Sequence, residues 1–391
     1  MDGDFRCCRL CGARLPAVPA IDFDGMPAVA QHFPSAGQLA ADAGVTLRVR
    51  QCGECGVVQL ANEPVPYFRE VIRASAGSPE MMEFRRRQFA EFRRRHRLDG
   101  KRLLEAGCGA GEYLALFEGV EAFGLEYGAA NVAAARKRGL AVMRGYAGDG
   151  VPGGPYDAFA AFNCFEHLPD LRAVLTNLRA ALVPGGVALV EVPNFDAMRR
   201  RGEFNEFTTD HLFYFSAATL AGTLRRFGFD VLECREEWYG YILNCEVRRG
   251  EVSPFRAEAS PGWEPLAPEE FTAPRGRLVS ECEAFLKDAR RSAVWGAGHQ
   301  ALATIAMTGI APRIAYVVDS APFKQGLFTP ATHLPIVAPE ELRHDPVDTV
   351  IVMAAGYSDE VLRILRREFP EIPRIAVLRE GEIVPAALPE R

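Results

Sequence analysis

The residues best suited to chemistry in this sequence are a run of glycines and the carboxylates on either side of it. The apolar pair Leu103-Leu104 leads into Glu105, and three glycines follow at alternate positions, Gly107, Gly109 and Gly111. Glycine is favoured where a backbone must turn tightly and lie close to a ligand. A second apolar run ends at Glu126, whose carboxylate could accept hydrogen bonds from both hydroxyls of a ribose. The pattern predicts a strand, a glycine turn and a helix over residues 112–117, which together hold a nucleoside-containing cofactor.

Two cofactor classes fit this arrangement, a nicotinamide dinucleotide and S-adenosylmethionine (SAM). A dinucleotide site also combines a glycine turn with an acid about 20 residues further on. Here Glu105 precedes the glycines, in an E-x-G-x-G-x-G order that resembles the class I SAM-dependent methyltransferases. Residues 157–170 resemble the fourth-strand region of those enzymes, which implies that Asn163 and Phe165 lie near the cofactor. Pro184-Gly185-Gly186 resembles their turn into the fifth strand, so SAM is the expected cofactor.

Two pairs of cysteines have the spacing of metal ligands. The four thiols come from two C-x2-C turns, formed by Cys8 with Cys11 and by Cys52 with Cys55. Two such turns provide all four ligands of a tetrahedral zinc ion, which leaves no open position for catalysis. We therefore expect a structural Zn²⁺ site. Cys7 adjoins the first pair, but the x2 spacing favours Cys8.

Length and composition limit the function further. The chain has 391 residues, of which 48% are hydrophobic and 25% charged, as in a globular protein of two or three domains. The net charge is -6 and no long basic run occurs, so nucleic acid is not an expected partner. The N-terminus lacks an apolar signal segment, and no stretch approaches the roughly 18 apolar residues of a membrane span. With cysteines arranged for a metal, these features predict a cytoplasmic protein.

The sequence divides into four segments. Residues 1–75 carry the cysteine turns, residues 76–252 carry the glycine loop, residues 253–275 form a proline-rich linker, and residues 276–391 return to alternating strands and helices. The last segment has its own glycine turn, Gly296 and Gly298, and a later acid at Asp319. The helix N-terminus after Gly298 is a plausible anion site. This pattern alone leaves open a nicotinamide-dependent oxidoreductase or a nucleotide-binding regulatory module.

The ordered motifs resemble one family, the three-domain SAM-dependent sugar C-methyltransferases that act on nucleotide-linked deoxysugars. Both cysteine turns carry the resemblance, as do Phe323-Lys324-Gln325-Gly326 and residues 329–336. The implied fold is α/β: a class I methyltransferase domain between a small zinc-binding domain and a second Rossmann-like domain. The implied activity is C-methylation of a nucleotide-linked keto-deoxysugar in secondary-metabolite or surface-glycan biosynthesis.

The resemblance also implies catalytic residues. Residues 208–216 match a family stretch of the form Tyr-x-Glu-His followed by aromatic residues and serine, with the acid at Asp210 and the histidine at His211. His211 would act as the general base that takes a proton from the carbon beside the keto group. Asp210 or Glu166 would orient it, and His167 would donate a hydrogen bond to the carbonyl oxygen as negative charge develops there.

Several positions that would face the substrate differ from the family. Thr208 replaces the first tyrosine, no tyrosine lies in residues 71–78 where a second is expected, and Tyr239-Gly240-Tyr241 replaces a His-Gly-Gly stretch. Methylation of an oxygen, nitrogen or carbon of another small natural-product intermediate therefore remains an alternative. The predicted substrate-binding residues are Glu166, Thr208, Tyr214, Tyr239, His299 and Lys324.

Overall fold

The N-terminal part of the chain is a small antiparallel sheet. The computed structural model describes residues 5–70, 78–250 and 262–386, so the predicted serine-rich stretch 71–78 lies, except for Ser78, outside the described residues. The first three strands are β1 (Ile21–Met26), β2 (Val45–Gln51) and β3 (Val58–Leu60). The two cysteine turns flank this sheet, one before β1 and one between β2 and β3.

The central part is a seven-stranded sheet with helices on both faces. Its strands are β4 (Arg102–Ala106), β5 (Glu121–Glu126), β6 (Val142–Arg144), β7 (Tyr156–Phe162), β8 (Leu182–Pro193), β10 (Phe229–Glu237) and β11 (Ile242–Arg249). Its helices are α1 (Pro79–His96), α2 (Ala129–Lys137), α3 (Leu171–Ala181), α4 (Phe195–Arg201) and α5 (Ala217–Arg226). The order is β10-β11-β8-β7-β4-β5-β6, and only β11 is antiparallel to its neighbours.

This strand order determines where a ligand can bind. The chain passes from β4 to β5 on one side and later returns to β7 on the other, so the order reverses beside β4. In open α/β sheets, ligands bind beyond the carboxyl ends of the strands at such a reversal. The β7 strand is buried along almost its whole length, as expected for a parallel strand covered on both faces.

The C-terminal part is a second α/β unit. Its sheet has the order β14-β13-β12-β15-β16-β17 and is parallel except for β17. The strands are β12 (Ser292–Trp295), β13 (Ile314–Val318), β14 (Ile336–Val337), β15 (Thr349–Val352), β16 (Arg374–Arg379) and β17 (Glu382–Pro385). The helices are α6 (Glu269–Leu286), α7 (His299–Thr308), α8 (Glu341–His344) and α9 (Ser358–Glu368).

Two local predictions were wrong. Residues 112–117 form only a short 3-10 turn at Leu114–Leu116, because Gly111 and Gly119 both adopt left-handed backbone angles and leave too little chain for a helix. The predicted linker 253–275 overlaps α6, which begins at Glu269. Helix α6 buries Phe271, Leu278 and Cys282 at helical spacing, and this apolar pattern prevails despite Pro274. Residues 253–261 lie outside the described part.

The three parts share a hydrophobic core. Phe207, which precedes the predicted catalytic loop, packs against Phe23 of β1 with ring centroids 5.3 Å apart. It also packs against Phe271 of α6, with centroids 4.9 Å apart. The strand β9 (Phe213–Tyr214) then leaves the central part and pairs with β3 as the fourth strand of the N-terminal sheet. The loop between Phe207 and β9 is therefore fixed at both ends. Among the described helices, none combines the length and apolarity needed to cross a membrane.

Candidate functional site

The glycine loop turns at the carboxyl end of β4. Gly107, Gly109 and Gly111 have φ angles of +70°, +58° and +82°, a region that L-residues with side chains rarely adopt. A Cβ on Gly111 would overlap the side chain of Leu140. The loop therefore requires glycine both for its backbone angles and for its close packing. Glu105 is fully buried in β4 below the loop.

Glu126 holds the loop from the end of the next strand. Its Oε2 accepts a hydrogen bond from the Gly109 backbone N–H at 3.0 Å. Its Oε1 accepts from the Gly128 N–H at 2.8 Å and from the Asn131 amide at 3.3 Å. These bonds place the carboxylate on the wall of a cleft, the cofactor cleft, which is lined by residues including Gly107, Gly109, Glu126, Tyr146, Asn163 and His167. A glycine backbone and a fixed carboxylate are the groups that a nucleoside cofactor needs.

The opposite wall of the cofactor cleft follows β7. Asn163 adopts a left-handed angle of +47°, and its N–H donates to the Glu191 carbonyl oxygen at 2.9 Å. This turn brings Asn163 and Cys164 into the lining. Phe165, which was predicted beside the cofactor, is instead 1% exposed within the hydrophobic core and does not line the cleft. Phe68 and Arg69 line the cleft from the N-terminal part, and no sequence motif marked them.

The four predicted metal ligands converge at one point. The sulfurs of Cys8, Cys11, Cys52 and Cys55 all lie within 4.8 Å of one another. The separations are 3.6 Å for Cys8–Cys55 and 3.5 Å for Cys11–Cys52. Bonds of about 2.3 Å in a tetrahedron place sulfurs about 3.8 Å apart, so the donor set fits zinc. Cys7 is exposed and does not belong to the cluster.

His167 and His211 stand side by side at one end of the cofactor cleft. Their ring centroids are 4.8 Å apart in an edge-to-face arrangement. The Nδ1 atom of His167 lies 2.8 Å from the Asp210 carbonyl oxygen. A carbonyl oxygen only accepts, so Nδ1 carries the hydrogen and, in a neutral ring, Nε2 carries a lone pair. That lone pair lies on the side of Glu166, whose Oε1 is 3.7 Å away.

The protonation of both rings follows from their surroundings. Burial lowers the pKa of His167 below its ordinary value. Burial also lowers the pKa of His211 well below its ordinary value, and the neighbouring rings of His167 and His299 lower it further. Both rings are therefore neutral near pH 7. The Nδ1 hydrogen of His167 is directed to the Asp210 carbonyl oxygen, and its donation to an acceptor carbonyl stays a prediction.

The loop that carries His211 is pinned by two tyrosines. The Tyr67 hydroxyl donates to Asp210 Oδ1 at 2.6 Å and accepts from the Ala30 N–H at 3.1 Å. The Tyr214 hydroxyl accepts from the Thr208 N–H at 3.0 Å and donates to the Thr208 carbonyl oxygen at 3.3 Å. Tyr214 therefore stabilises the backbone of the loop at Thr208. Burial raises the pKa of the Tyr67 hydroxyl above its ordinary value, so it stays protonated and able to donate.

A second polar cluster lies where the central and C-terminal parts meet. Glu206 is buried, and its carboxylate contacts the Gln300 amide, with the Tyr241 hydroxyl 3.3 Å away. Its Oε2 is 3.6 Å from Nε2 of His299, the first residue of α7. Burial alone would lower the pKa of His299, but the Glu206 carboxylate outweighs this effect and raises it. The predicted anion position at the start of α7 thus faces a carboxylate of the chain itself.

Comparison with known proteins also indicates a methyltransferase. Residues 80–234 match the family model described as a methyltransferase domain, and residues 268–370 match the C-methyltransferase C-terminal domain. A probable S-adenosylmethionine-dependent methyltransferase of Mycolicibacterium smegmatis is 32% identical over 193 residues, which are 46% of this chain and 74% of that protein. The chain belongs to the SAM-dependent methyltransferases. Its C-terminal match places it with the C-methyltransferases, which confirms that part of the predicted family, while the sugar acceptor and the zinc-binding domain stay predictions.

A second relative is a C-methyltransferase. C-methyltransferase NovU of Streptomyces niveus is 25% identical over 223 residues, and the match spans about half of each chain, 51% of both. Among solved structures, a SAM-dependent methyltransferase of Clostridium acetobutylicum aligns with a TM-score of 0.38 and 12% identity, covering 47% of this chain and 96% of that one.

Two of the predicted substrate-binding residues, Tyr239 and Lys324, do not line the cofactor cleft. Tyr239 is 77% exposed in the β10–β11 turn, and its hydroxyl donates to Glu80 at 2.6 Å, so it does not face the cleft. Lys324 is turned inward, with Nζ 3.0 Å from both Asp319 Oδ2 and the Ala297 carbonyl oxygen. Through these contacts Lys324 stabilises the glycine turn of the C-terminal part. Tyr67 and Glu206 are the polar residues that the sequence did not single out, since their partners lie 143 and 94 residues away.

Proposed function

We propose that this methyltransferase transfers a methyl group to a carbon of a nucleotide-linked keto-deoxysugar, with His211 as the general base. The observation that carries the proposal is the place of His211, beside a histidine that lines the cofactor cleft and on a loop fixed by two tyrosines. The similarity to C-methyltransferases supports carbon as the acceptor atom.

In the proposed reaction, different residues bind SAM, take the proton and position the base. SAM, held by Gly107, Gly109 and Glu126, supplies an electrophilic methyl group on a sulfonium. A neutral His211 can take the proton from the carbon beside the keto group, and the C–H electron pair then passes into an enolate. Asp210 is engaged by Tyr67 through its side chain and by His167 through its carbonyl, so it positions the base rather than taking the proton.

The four-cysteine cluster has a structural part in the proposal. Cys8, Cys11, Cys52 and Cys55 would bind Zn²⁺ as a closed four-thiolate site, which stabilises the fold and offers no position for substrate. Thiolate ligands persist in a reducing compartment, so the proposal places the enzyme in the cytoplasm. The sugar product would serve a secondary metabolite or a surface glycan.

The test uses the purified chain with SAM carrying a deuterated methyl group and a panel of nucleotide-linked keto-deoxysugars. We expect a labelled methyl on the ring carbon next to the ketone, located by NMR. His211→Gln should lower turnover by about 10²–10⁴-fold while SAM affinity, measured by calorimetry, stays near normal. His344→Gln, an exposed histidine on α8, is the control.

Two results would overturn this proposal. An unchanged rate in His211→Gln would remove His211 from proton transfer. A label found on an oxygen or nitrogen would replace C-methylation of a sugar by methylation of another acceptor.

A further inference from the structure

The proposed reaction needs a hydrogen-bond donor for the oxygen of the acceptor. An enolate oxygen gains negative charge and is best stabilised by a fixed donor or cation. The hydroxyl hydrogens of Tyr67, Tyr214 and Tyr241 point to protein acceptors, namely Asp210, the Thr208 carbonyl and Glu206. The hydrogen of His167 is on Nδ1 and points to the Asp210 carbonyl.

His299 of the C-terminal domain stands close to this loop. With Thr208, Thr209 and Ala30 it lines a small cavity where the three domains meet. Its side chain is 38% exposed, so it is not sealed in the core. The charge of His299 also acts on both Asp210 and His211, which places the ring within electrostatic reach of the proposed base.

Glu206 lies beside this ring. A buried carboxylate is costly unless it is paired, and His299 supplies the positive partner at 3.6 Å. Gln300 and Tyr241 hold the carboxylate from other sides. A protonated imidazole has two N–H donors. Nε2 is the ring nitrogen on the side of Glu206, and within the described residues the structure records no hydrogen bond to Nδ1.

We propose that His299, which lies beside Glu206, donates its Nδ1–H to the acceptor oxygen on which negative charge develops. This inference rests on the proposed function, since it concerns the acceptor of that reaction. It assigns the C-terminal domain a catalytic residue, so that the active site is complete only when the central and C-terminal domains are docked.

The first test needs no acceptor. Histidine-labelled protein is titrated by NMR, and imidazole signals are assigned by single His→Gln variants. The carboxylates of Glu206 and Asp210 act on His299, and His299 in turn acts on His211. We expect His299→Gln to raise the pKa of His211, because a neighbouring positive charge is removed, and Glu206→Gln to lower the pKa of His299. An unchanged His211 titration in His299→Gln would overturn the proposal.

The second test measures proton abstraction apart from methyl transfer. Exchange of the acidic acceptor hydrogen with deuterated water is followed in the presence of S-adenosylhomocysteine. His299→Gln should slow exchange and turnover by about 10²–10³-fold with unchanged SAM affinity. The matched control is His333→Gln, in the same domain, where the ring contacts Asp42 at 2.9 Å. Equal losses in both variants would assign His299 to domain docking, and a normal rate in His299→Gln would also refute the proposal. If no keto-sugar is methylated by the wild type, the proposed function fails while the NMR test still judges His299.

Discussion

Replacing Gly296 with alanine tests how the C-terminal glycine turn positions α7 and His299. Gly296 has a φ of +125°, a region that is accessible essentially only to glycine. An added Cβ would lie 2.8 Å from the Met353 carbonyl carbon and closer still to its oxygen. The Met353 N–H donates to the Trp295 carbonyl at 2.8 Å, so the two backbone segments cannot separate freely. We therefore expect both strain and overlap.

The cost can be worked out from these two effects. Backbone strain of this kind costs about 1–3 kcal/mol, and forcing atoms into packed space costs about another 1–3 kcal/mol. Gly298→Ala is the matched control, because it lies on the same turn, has an ordinary φ and has open space around its Cβ position. Its free energy of unfolding should change by about 0.5 kcal/mol or less.

The free energy of unfolding of both variants is measured by urea unfolding, followed by circular dichroism and by tryptophan fluorescence. Fluorescence is informative because Trp295 is buried next to the substitution. Gly296→Ala should unfold at clearly lower urea than Gly298→Ala. Equal midpoints would show that β12 does not approach Met353 as described, and would refute the reasoning about the turn.

Two further predictions concern the metal cluster and a buried acid. We expect Cys52→Ser to bind no zinc, measured by elemental analysis, and to melt at a lower temperature, whereas Cys7→Ser, outside the cluster, should bind one zinc per chain. Equal zinc content in both would contradict a four-sulfur zinc site. Burial and the nearby Glu206 raise the pKa of Glu203 to about 7. The folded state holds this proton more tightly than the unfolded chain, so the stabilisation is complete below the ordinary value of 4.5 and is lost as the pH rises through about 7. Melting temperatures across that range should decline less in Glu203→Gln than in the wild type, and identical slopes would count against this assignment.

The cofactor cleft could be predicted from sequence because its parts are local. Gly107, Gly109 and Gly111 are close together in the chain, and their backbone angles are a requirement that only glycine meets easily. The same holds for each C-x2-C turn, whose two sulfurs are set by one short loop. The role of Glu126 could also be predicted from the sequence, because a carboxylate at the end of a parallel strand lies at the binding edge of the sheet.

The contacts around His211 and Glu206 could not be predicted in this way. The contacts between Tyr67 and Asp210 and between Glu206 and Gln300 depend on the packing of separate domains, and no residue spacing encodes them. Phe165 shows the opposite error, since its family position suggested cofactor contact while its apolar ring is buried in the core. A motif indicates that a residue is near a site, but the direction of its side chain is decided by tertiary packing.

The two-residue strand β9 limits how this protein can be divided. Val58 and Gln59 of β3 pair with Tyr214 and Phe213, which follow His211 in the chain. A cut or recombination point at residue 75 would therefore leave the N-terminal sheet without its edge partner and the His211 loop without its anchor. Residues 5–70 and 207–216 form one structural unit despite their distance in sequence, and a chimera with a related enzyme would have to exchange them together to keep this pairing.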